Sequence, residues 1–371
     1  MSSIKKILLV NDTRGTQEYL YRAFNEMGIK CDIATFGWPT INKIDNAMNF
    51  DPFRKLGLFG KPFRPLLNLY NVIRLDDYDV ASYVHRISFI DKPHFLRYTD
   101  LPILRKKVGV MSYTGLGCDE ISFIAGNKKL PYSPCNTCQK FDDPKHYCQK
   151  VVRPLGQKAI PRLNEYFDCA FSIGVEYSHV GDLFKNTVIP MPLPIDINEI
   201  PWMPAKSKNS GKINIIHTPS RPGFKGTSIV LEAIQILKQM RNDFEFQVVT
   251  GLPFSEYITT IKDADIIVDQ VWSQHPGVNA LWLLAMGKIV FSGNTDMAKE
   301  YFNLSSDCPI FDASPDPTLL AKKLNEAIEM KNTYSYLSEI GKNYVKQHHD
   351  HIKVASTYLK HWQTIKDIKN T

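Results

Sequence analysis

One pattern limits this chain more than any other: a strand–helix alternation that runs twice, once on each side of a proline-spaced segment. Short apolar runs alternating with helix-length amphipathic stretches build parallel sheets joined by crossover helices. In the first block Lys6–Val10 reads as a strand, 18–27 as a helix and Lys30–Thr35 as the second strand, with later strands at 80–84, 107–112 and 169–173. The second block is cleaner. Ile213–His217 reads as a strand and Thr227–Met240 as a helix with Ile229, Ala233, Leu237 and Met240 on one face, the helical period. Strands at 244–249, 265–271, 288–292 and 309–312 then alternate with helices at 255–262, Val278–Met286 and 317–330. Helices at 336–348 and 352–365 close the chain. Between the blocks, Pro190, Pro192 and Pro194 enforce an extended backbone, and the polar stretch 206–212 reads as a linker. The expected fold is α/β: two Rossmann-like lobes with a cleft between them and a boundary near 195–210.

Length agrees with this division, since 371 residues at roughly 150 per domain give about two domains. Hydrophobic residues at 43% and charged residues at 22% exclude disordered and fibrous classes. Lys+Arg 45 against Asp+Glu 38 leaves +7, which suits anionic ligands or an anionic membrane surface and speaks weakly for nucleic acid. No run approaches the ~20 apolar residues of a membrane span. The apolar start, Ile7 to Val10, ends at Asn11 and Asp12 and reads as a strand, not a signal peptide. A cytosolic protein is expected, so its seven cysteines are read as thiols or metal ligands before disulfides.

Two stretches of the second block carry chemistry. His217-Thr218-Pro219-Ser220-Arg221-Pro222-Gly223-Phe224-Lys225-Gly226-Thr227 runs from a strand into a helix. Asp263-Ala264-Asp265-Ile266-Ile267-Val268-Asp269-Gln270 is followed by Gly277 and by Leu283-Leu284-Ala285-Met286-Gly287-Lys288-Ile289-Val290. With the proline-spaced segment as hinge, these resemble the donor lobe of GT-B-fold glycosyltransferases of the retaining, family-four type. The resemblance covers the second lobe well and the first in outline. It implies a first lobe (1–195) facing a glycan or lipid-linked glycan acceptor, and a second lobe (196–350) binding a nucleotide-diphosphate sugar. It also implies a terminal piece (351–371) whose helix crosses back to the first lobe, and a role such as bacterial surface polysaccharide synthesis.

The residues support a phosphate site in their own right. Arg221 and Lys225 stand at the carboxyl edge of a parallel sheet, where ligands of such folds bind. A helix beginning at Gly226 and Thr227 adds free N–H groups and a positive dipole end. Arg221 can grip phosphate oxygens in a fork and Lys225 supplies a point charge, which a departing diphosphate requires. Ordinary surface charge on a solvated turn is the competing reading, and the strand–turn–helix context weighs against it. Gln270, His275, Gly277, Val278 and Asn279 complete the donor side, with Pro276 suited to the first turn of a helix. The resemblance implies two glutamates eight positions apart, and the aligned residues here are Pro276 and Leu284. Both carboxylates are missing; Gln270, His275 and Asn279 are the polar substitutes, and His275 reads equally well as a helix cap. In the first lobe the resemblance implies a His-Gly pair where this chain has Thr114-Gly115, so Thr114 and, after the strand 80–84, His85 are the candidates. If transfer is inverting it needs a base, and Asp119 is the first choice.

Two residues separate Cys135 from Cys138, nine separate Cys138 from Cys148, and sixteen separate Cys118 from the pair. Thiolates in a polar, turn-rich segment suit a four-coordinate structural zinc on Cys118, Cys135, Cys138 and Cys148, with His146 as the substitute for Cys118. Disulfides or free thiols are the alternatives. Similar cysteine-rich insertions occur in bacterial relatives of the family it resembles. Cys31, Cys169 and Cys308 read as buried thiols, and His348-His349-Asp350-His351 as a solvated junction between helices. The aromatic and basic stretch 50–70 (Arg54, Lys55, Lys61, Arg64) reads as a loop or helix at the acceptor mouth, suited to core packing or to contact with a lipid-linked acceptor or an anionic membrane surface. Two functions compete: a glycosyltransferase, and a catalytically silent member that binds a glycan or a partner glycosyltransferase. An epimerase on the same fold lacks a convincing pair of acids.

Overall fold

The computed structural model describes residues 3–13, 15–36, 44, 47–50, 63–90, 95–125, 129–137, 148–206, 211–303 and 308–371. Its first strand, β1 (Lys6–Val10), is apolar on both faces, as a sheet covered on both sides requires. Ile7 and Leu9 enter one buried cluster, Leu8 and Val10 another. The strands that follow are β2 (Lys30–Thr35), β3 (Met48–Asn49), β4 (Tyr78–Val84), β5 (Val108–Gly115), β6 (Cys169–Ser172) and β7 (Val188–Pro190). They pair in parallel in the order β3-β2-β1-β4-β5-β6-β7.

A second parallel sheet has the order β12-β11-β10-β8-β9. Its strands are β8 (Ile213–His217), β9 (Phe244–Val248), β10 (Ile266–Val268), β11 (Ile289–Ser292) and β12 (Phe311–Asp312). The expected strand 265–271 is cut to three residues because the flanking aspartates turn to other work. Asp265 accepts backbone N–H groups of Asn214 at 2.9 Å and Lys206 at 3.2 Å, and Asp269 belongs to the site below. Helix Arg64–Arg74 overlaps the stretch 50–70 read as a loop or helix, while Leu101–Lys107 and Arg153–Tyr166 were not expected; the last carries Pro161 in its interior, which hides its period.

One apolar cluster joins the lobes, with Leu9 and Phe171 from the first, Ile216 and Leu283 from the second, and Met191, Leu193 and Ile195 from the proline-spaced segment. That segment is stitched to the end of the second lobe: Ile195 N–H donates to His349 O at 2.7 Å and His351 N–H to Ile195 O at 3.0 Å. His349 and His351 of the histidine run are therefore buried, not solvated, while His348 is half-buried. His349 Nδ1 lies 2.9 Å from Leu193 O, and burial holds its ring well below the usual histidine range, at about 4. Asp350 caps the last helix, His351–Asn370, by accepting from Ile352 and Lys353 N–H. This helix returns to the first lobe. Trp362 is fully buried with its ring 5.7 Å from Phe24 and 6.1 Å from Phe171, and its Nε1–H donates to Ser112 Oγ at 3.1 Å. Lys366 and Lys369 pair with Asp79 and Asp168 further along.

Candidate functional site

In the second sheet the chain passes from β8 to β9 on one side and then to β10 on the other, so the crevice at the carboxyl ends of β8 and β10 is the topological switch point. Arg221, Lys225, Gly226 and Thr227 lie on the loop leaving β8; Gln270, His275, Gly277, Val278 and Asn279 lie on the loop and helix start after β10. The two sets converge on Asp269. Its carboxylate is wholly buried and accepts from Lys225 Nζ at 3.0 Å, Asn279 Nδ2 at 2.8 Å and Ser292 Oγ at 3.2 Å. Asn279 in turn accepts from Tyr257 Oη at 3.2 Å. An ammonium has three donors, so one bond to Asp269 anchors Lys225 while two N–H groups remain for a ligand.

The loop leaving β8 is fixed from below. His217 Nδ1 lies 2.7 Å from Val268 O, a pure acceptor, so Nδ1 carries the proton and Nε2 accepts from the Thr227 hydroxyl at 2.9 Å. Burial lowers the His217 pKa, which favours that neutral ring. Gly226 joins the short helix Pro222–Lys225 to Thr227–Met240 at φ 77°, and a Cβ there would lie 2.2 Å from Val271 Cγ2. Only glycine fits that left-handed, crowded position. Arg221 is exposed, stacks over the Phe224 ring at 3.9 Å, and has no carboxylate partner among the described residues.

Gln270 and His275 are less available than expected. Gln270 is buried against the Gly277 start of the helix Val278–Met286. His275 is buried and packs on Phe302, with ring centroids 4.8 Å apart and planes tilted by 37°. Burial, with His349 nearby, pushes its pKa down to about 3, so it is a neutral packing group at neutral pH and not a charged donor contact. Gly277, Val278 and Asn279 stay half-buried at the crevice.

The first lobe presents its own switch point, between β1 and β4. Two non-glycine residues there adopt left-handed backbone, Asn11 (φ 70°) and His85 (φ 67°), and Asn11 Nδ2 donates to Val84 O at 3.2 Å. Strain of this kind collects at functional sites. Asn11 was missed, although an asparagine closing an apolar strand is a recognisable left-handed signal. Thr114 and Asp119 gather beside His85, but both are buried, at 3% and 1% exposure. Asp119 caps the helix Glu120–Ala125: Oδ1 accepts from Ile121 and Ser122 N–H and from the Tyr113 hydroxyl. Burial raises its pKa while those bonds and His85 oppose the rise. The expectation of an accessible base is corrected here: Asp119 is a helix cap. Thr114 lies within β5 below the surface, which leaves His85 as the half-buried member of the three.

The zinc expectation is not met among the described residues, where no three histidine, cysteine, aspartate or glutamate side chains gather as ligands. Cys138 and His146 lie outside the described residues. Cys118 follows Gly117 (φ 71°), which turns it into the cleft, and its Sγ lies 3.8 Å from Arg221 Nη1. Cys135 sits on the short helix Pro134–Thr137, which packs against Pro222–Lys225, and Cys148 opens the turn Cys148–Val152. Cys31, Cys169 and Cys308 are buried, as expected.

The lobes touch across this cleft. Glu176, on the helix Val175–Ser178 of the first lobe, accepts from Ser273 Oγ at 2.5 Å and Gln274 N–H at 2.7 Å. Gln274 Nε2 donates back to Tyr132 O at 2.8 Å, and the Tyr132 and Trp272 rings meet at 6.4 Å. Neither Glu176 nor Gln274 was singled out in the sequence, because nothing local marks a pairing of residues 98 positions apart.

No protein-family model and no curated protein matches the sequence. Solved structures do. Sucrose-phosphate synthase from Thermosynechococcus elongatus superposes with a TM-score of 0.61 at 12% identity, covering 97% of this chain and 99% of that one. Anabaena HepE in complex with UDP and glucose gives 0.57 at 12%, covering 97% and 100%. The catalytic domain of starch synthase IV from Arabidopsis thaliana, bound to ADP and acarbose, gives 0.57 at 9%, covering 99% and 100%. At such identities the likeness is one of fold: this chain has the two-lobed GT-B fold, with its last helix crossing back.

Proposed function

We propose that this chain is a glycosyltransferase that moves a sugar from a nucleotide-diphosphate donor to a glycan or lipid-linked glycan, as in surface polysaccharide synthesis. The observation that carries the reading is the Arg221–Lys225–Asp269 arrangement at the switch point of the second sheet. An exposed guanidinium and a tethered ammonium stand together where α/β folds take phosphates, beside the start of the helix Val278–Met286. In this reading Arg221 and Lys225 hold the diphosphate and stabilise it as it leaves, and Asn279, fixed by Asp269, faces the nucleotide. His85, in strained backbone at the first lobe's switch point, faces the sugar and acceptor. We read the transfer as retaining, since Asp119, the carboxylate nominated as an inverting base, is a helix cap with only 1% exposure.

An anionic membrane surface is the partner we infer for the first lobe. Helix Arg64–Arg74 and its preceding residue expose Phe63, Leu66, Tyr70 and Ile73, at 62%, 64%, 52% and 52%, along one stripe. Arg74 and the basic end of Leu101–Lys107, with Lys106 exposed, flank its far end, the charge pattern of an interfacial helix. Phe50, by contrast, is buried against Phe36 and Phe89, and 51–62 lies outside the described residues. No helix among the described residues is long and apolar enough to cross a membrane.

A second reading, a silent binding protein, is favoured by two observations: Asp269 already compensates Lys225, and the glutamate pair implied by the resemblance is missing. The test is thermal stabilisation by a panel of UDP-, ADP-, GDP- and dTDP-sugars, followed by turnover with the best donor. Stabilisation with donor hydrolysis or transfer supports the enzyme, whereas no stabilisation by any donor, or stabilisation without turnover, overturns it and leaves the silent reading.

A further inference from the structure

The turn Ser273-Gln274-His275 leads directly into Gly277, Val278 and Asn279, the helix start on which the donor reading rests. That turn is held from two sides. Within its own lobe, Gly293 lets the backbones approach so closely that a Cβ there would lie 2.2 Å from Ser273 O, and Gln274 O accepts from Thr295 N–H at 3.2 Å and Thr295 Oγ at 3.3 Å. From the opposite lobe come Glu176 Oε1, which accepts from Ser273 Oγ and Gln274 N–H, and Tyr132 O, which accepts from Gln274 Nε2. Gln274 is 2% exposed and Ser273 8%. Every polar group that Gln274 possesses, apart from its side-chain oxygen, is thus bonded, and the amide N–H and side-chain N–H go to the first lobe.

Resting on the glycosyltransferase reading, we propose that Glu176 is a positioning residue supplied across the cleft by the first lobe, which locks the 273–275 turn and with it the donor-side helix start only while the lobes are closed. A carboxylate so placed exchanges water for two protein donors on closure, and opening must restore its hydration. Burial raises its pKa, opposed by the Ser273 hydroxyl and the surrounding backbone N–H groups, as expected of a carboxyl that the opposite lobe encloses. From the turn, bonded neighbours run to the cation: Asn279, five residues on, donates to Asp269, which holds Lys225. The chain lacks both glutamates at the positions aligned with those of the family it resembles, and here a carboxylate reaches the same loop from across the cleft.

The experiment compares wild type, Glu176→Gln and Glu176→Ala, with Gln274→Ala as a variant that removes only the side-chain bond to Tyr132. Hydrogen exchange of the 273–279 segment and the radius of gyration by small-angle scattering report the lock; UDP and ADP titration and donor turnover report the site. Expected results are exchange at least tenfold faster in 273–279 and a larger radius for Glu176→Ala, with Glu176→Gln intermediate because its amide oxygen still accepts. Turnover of Glu176→Ala should fall tenfold or more while nucleotide affinity, set by Arg221 and Lys225, changes less than threefold. Unchanged exchange and scattering overturn the proposal. Exchange raised uniformly through both lobes, or affinity and turnover falling together, also overturns it, since that marks a merely structural residue. If wild type binds no nucleotide but Glu176→Ala still opens it, the glycosyltransferase reading fails and the interlobe lock survives without a donor to position.

Discussion

Replacing Lys225 with methionine removes the ammonium at nearly constant volume. Its partner Asp269 has no exposed side-chain surface and the lysine only 13%, so the pair counts as buried. Removing one member of such a pair costs about 3–5 kcal/mol when the other is left bare. Here Asn279 and Ser292 stay on the carboxylate, so the loss should sit lower, at about 2–3 kcal/mol. Asp269→Asn leaves a lysine that can still reach water and should cost about 1–2 kcal/mol. The double variant holds no unpaired charge and should be more stable than the two losses added together, by about 1–2 kcal/mol. Urea melts of the four proteins measure this cycle, and calorimetric titration with nucleotide diphosphates adds the functional sign. Lys225→Met should weaken binding about tenfold or more, the equivalent of about 1.4 kcal/mol. Asp269→Asn removes a negative charge beside the phosphates and should leave affinity unchanged or tighter. Both variants break the same bond, so a purely structural pair predicts equal losses. Equal losses, or no loss in either, would refute the assignment of Lys225 to the diphosphate, and a coupling below about 0.5 kcal/mol would refute the buried pair.

Gly226→Ala places a Cβ at φ 77° and 2.2 Å from Val271, and should lower stability by about 3 kcal/mol and abolish nucleotide binding; a urea midpoint within error of wild type would contradict the geometry. Trp362→Ala should cost about 3–5 kcal/mol and expose amides of β5 and β6 to hydrogen exchange, because the terminal helix packs on the first lobe through that ring. His275 has a folded pKa near 3 against an ordinary 6.5, so the unfolded chain binds the extra proton between those values and stability falls as pH drops through that window. From pH 7 to pH 5 this amounts to about 2 kcal/mol, and His275→Phe, which keeps the stack on Phe302, should flatten the slope by that amount relative to wild type. Co-sedimentation with vesicles containing anionic lipid should retain the protein at low salt and release it at high salt, and Leu66→Glu with Ile73→Glu should abolish it; equal binding to zwitterionic vesicles would remove the electrostatic half of the argument.

What the sequence made legible follows the reach of each interaction. The alternation of strand and helix is local, and β1, β2 and β8 lie where the apolar runs put them. Gly226 and Thr227 were also readable, because a strand–turn–helix junction needs a left-handed residue and a helix start within a few positions. The partners of those residues were not. Lys225 reads as free charge until Asp269, 44 residues later, is folded beneath it, and only the end of β10 at Val268, one residue before, puts it there. Glu176 reads as one more surface acid on a four-residue helix until the second lobe closes over it. Asp119 carries a local signal besides the one read as a candidate base. An aspartate immediately before Glu120-Ile121-Ser122-Phe123-Ile124 is a helix cap by the ordinary rule, and the structure uses it as one. Its Oδ1 takes two backbone N–H groups and a tyrosine hydroxyl and its Oδ2 is buried without a partner among the described residues, so the carboxylate as it stands is closed to a substrate and the accessible groups of the first lobe lie beside it. His85 and Asn11 stand there, in backbone that ordinary residues avoid, at the one edge of the first sheet where the strand order reverses.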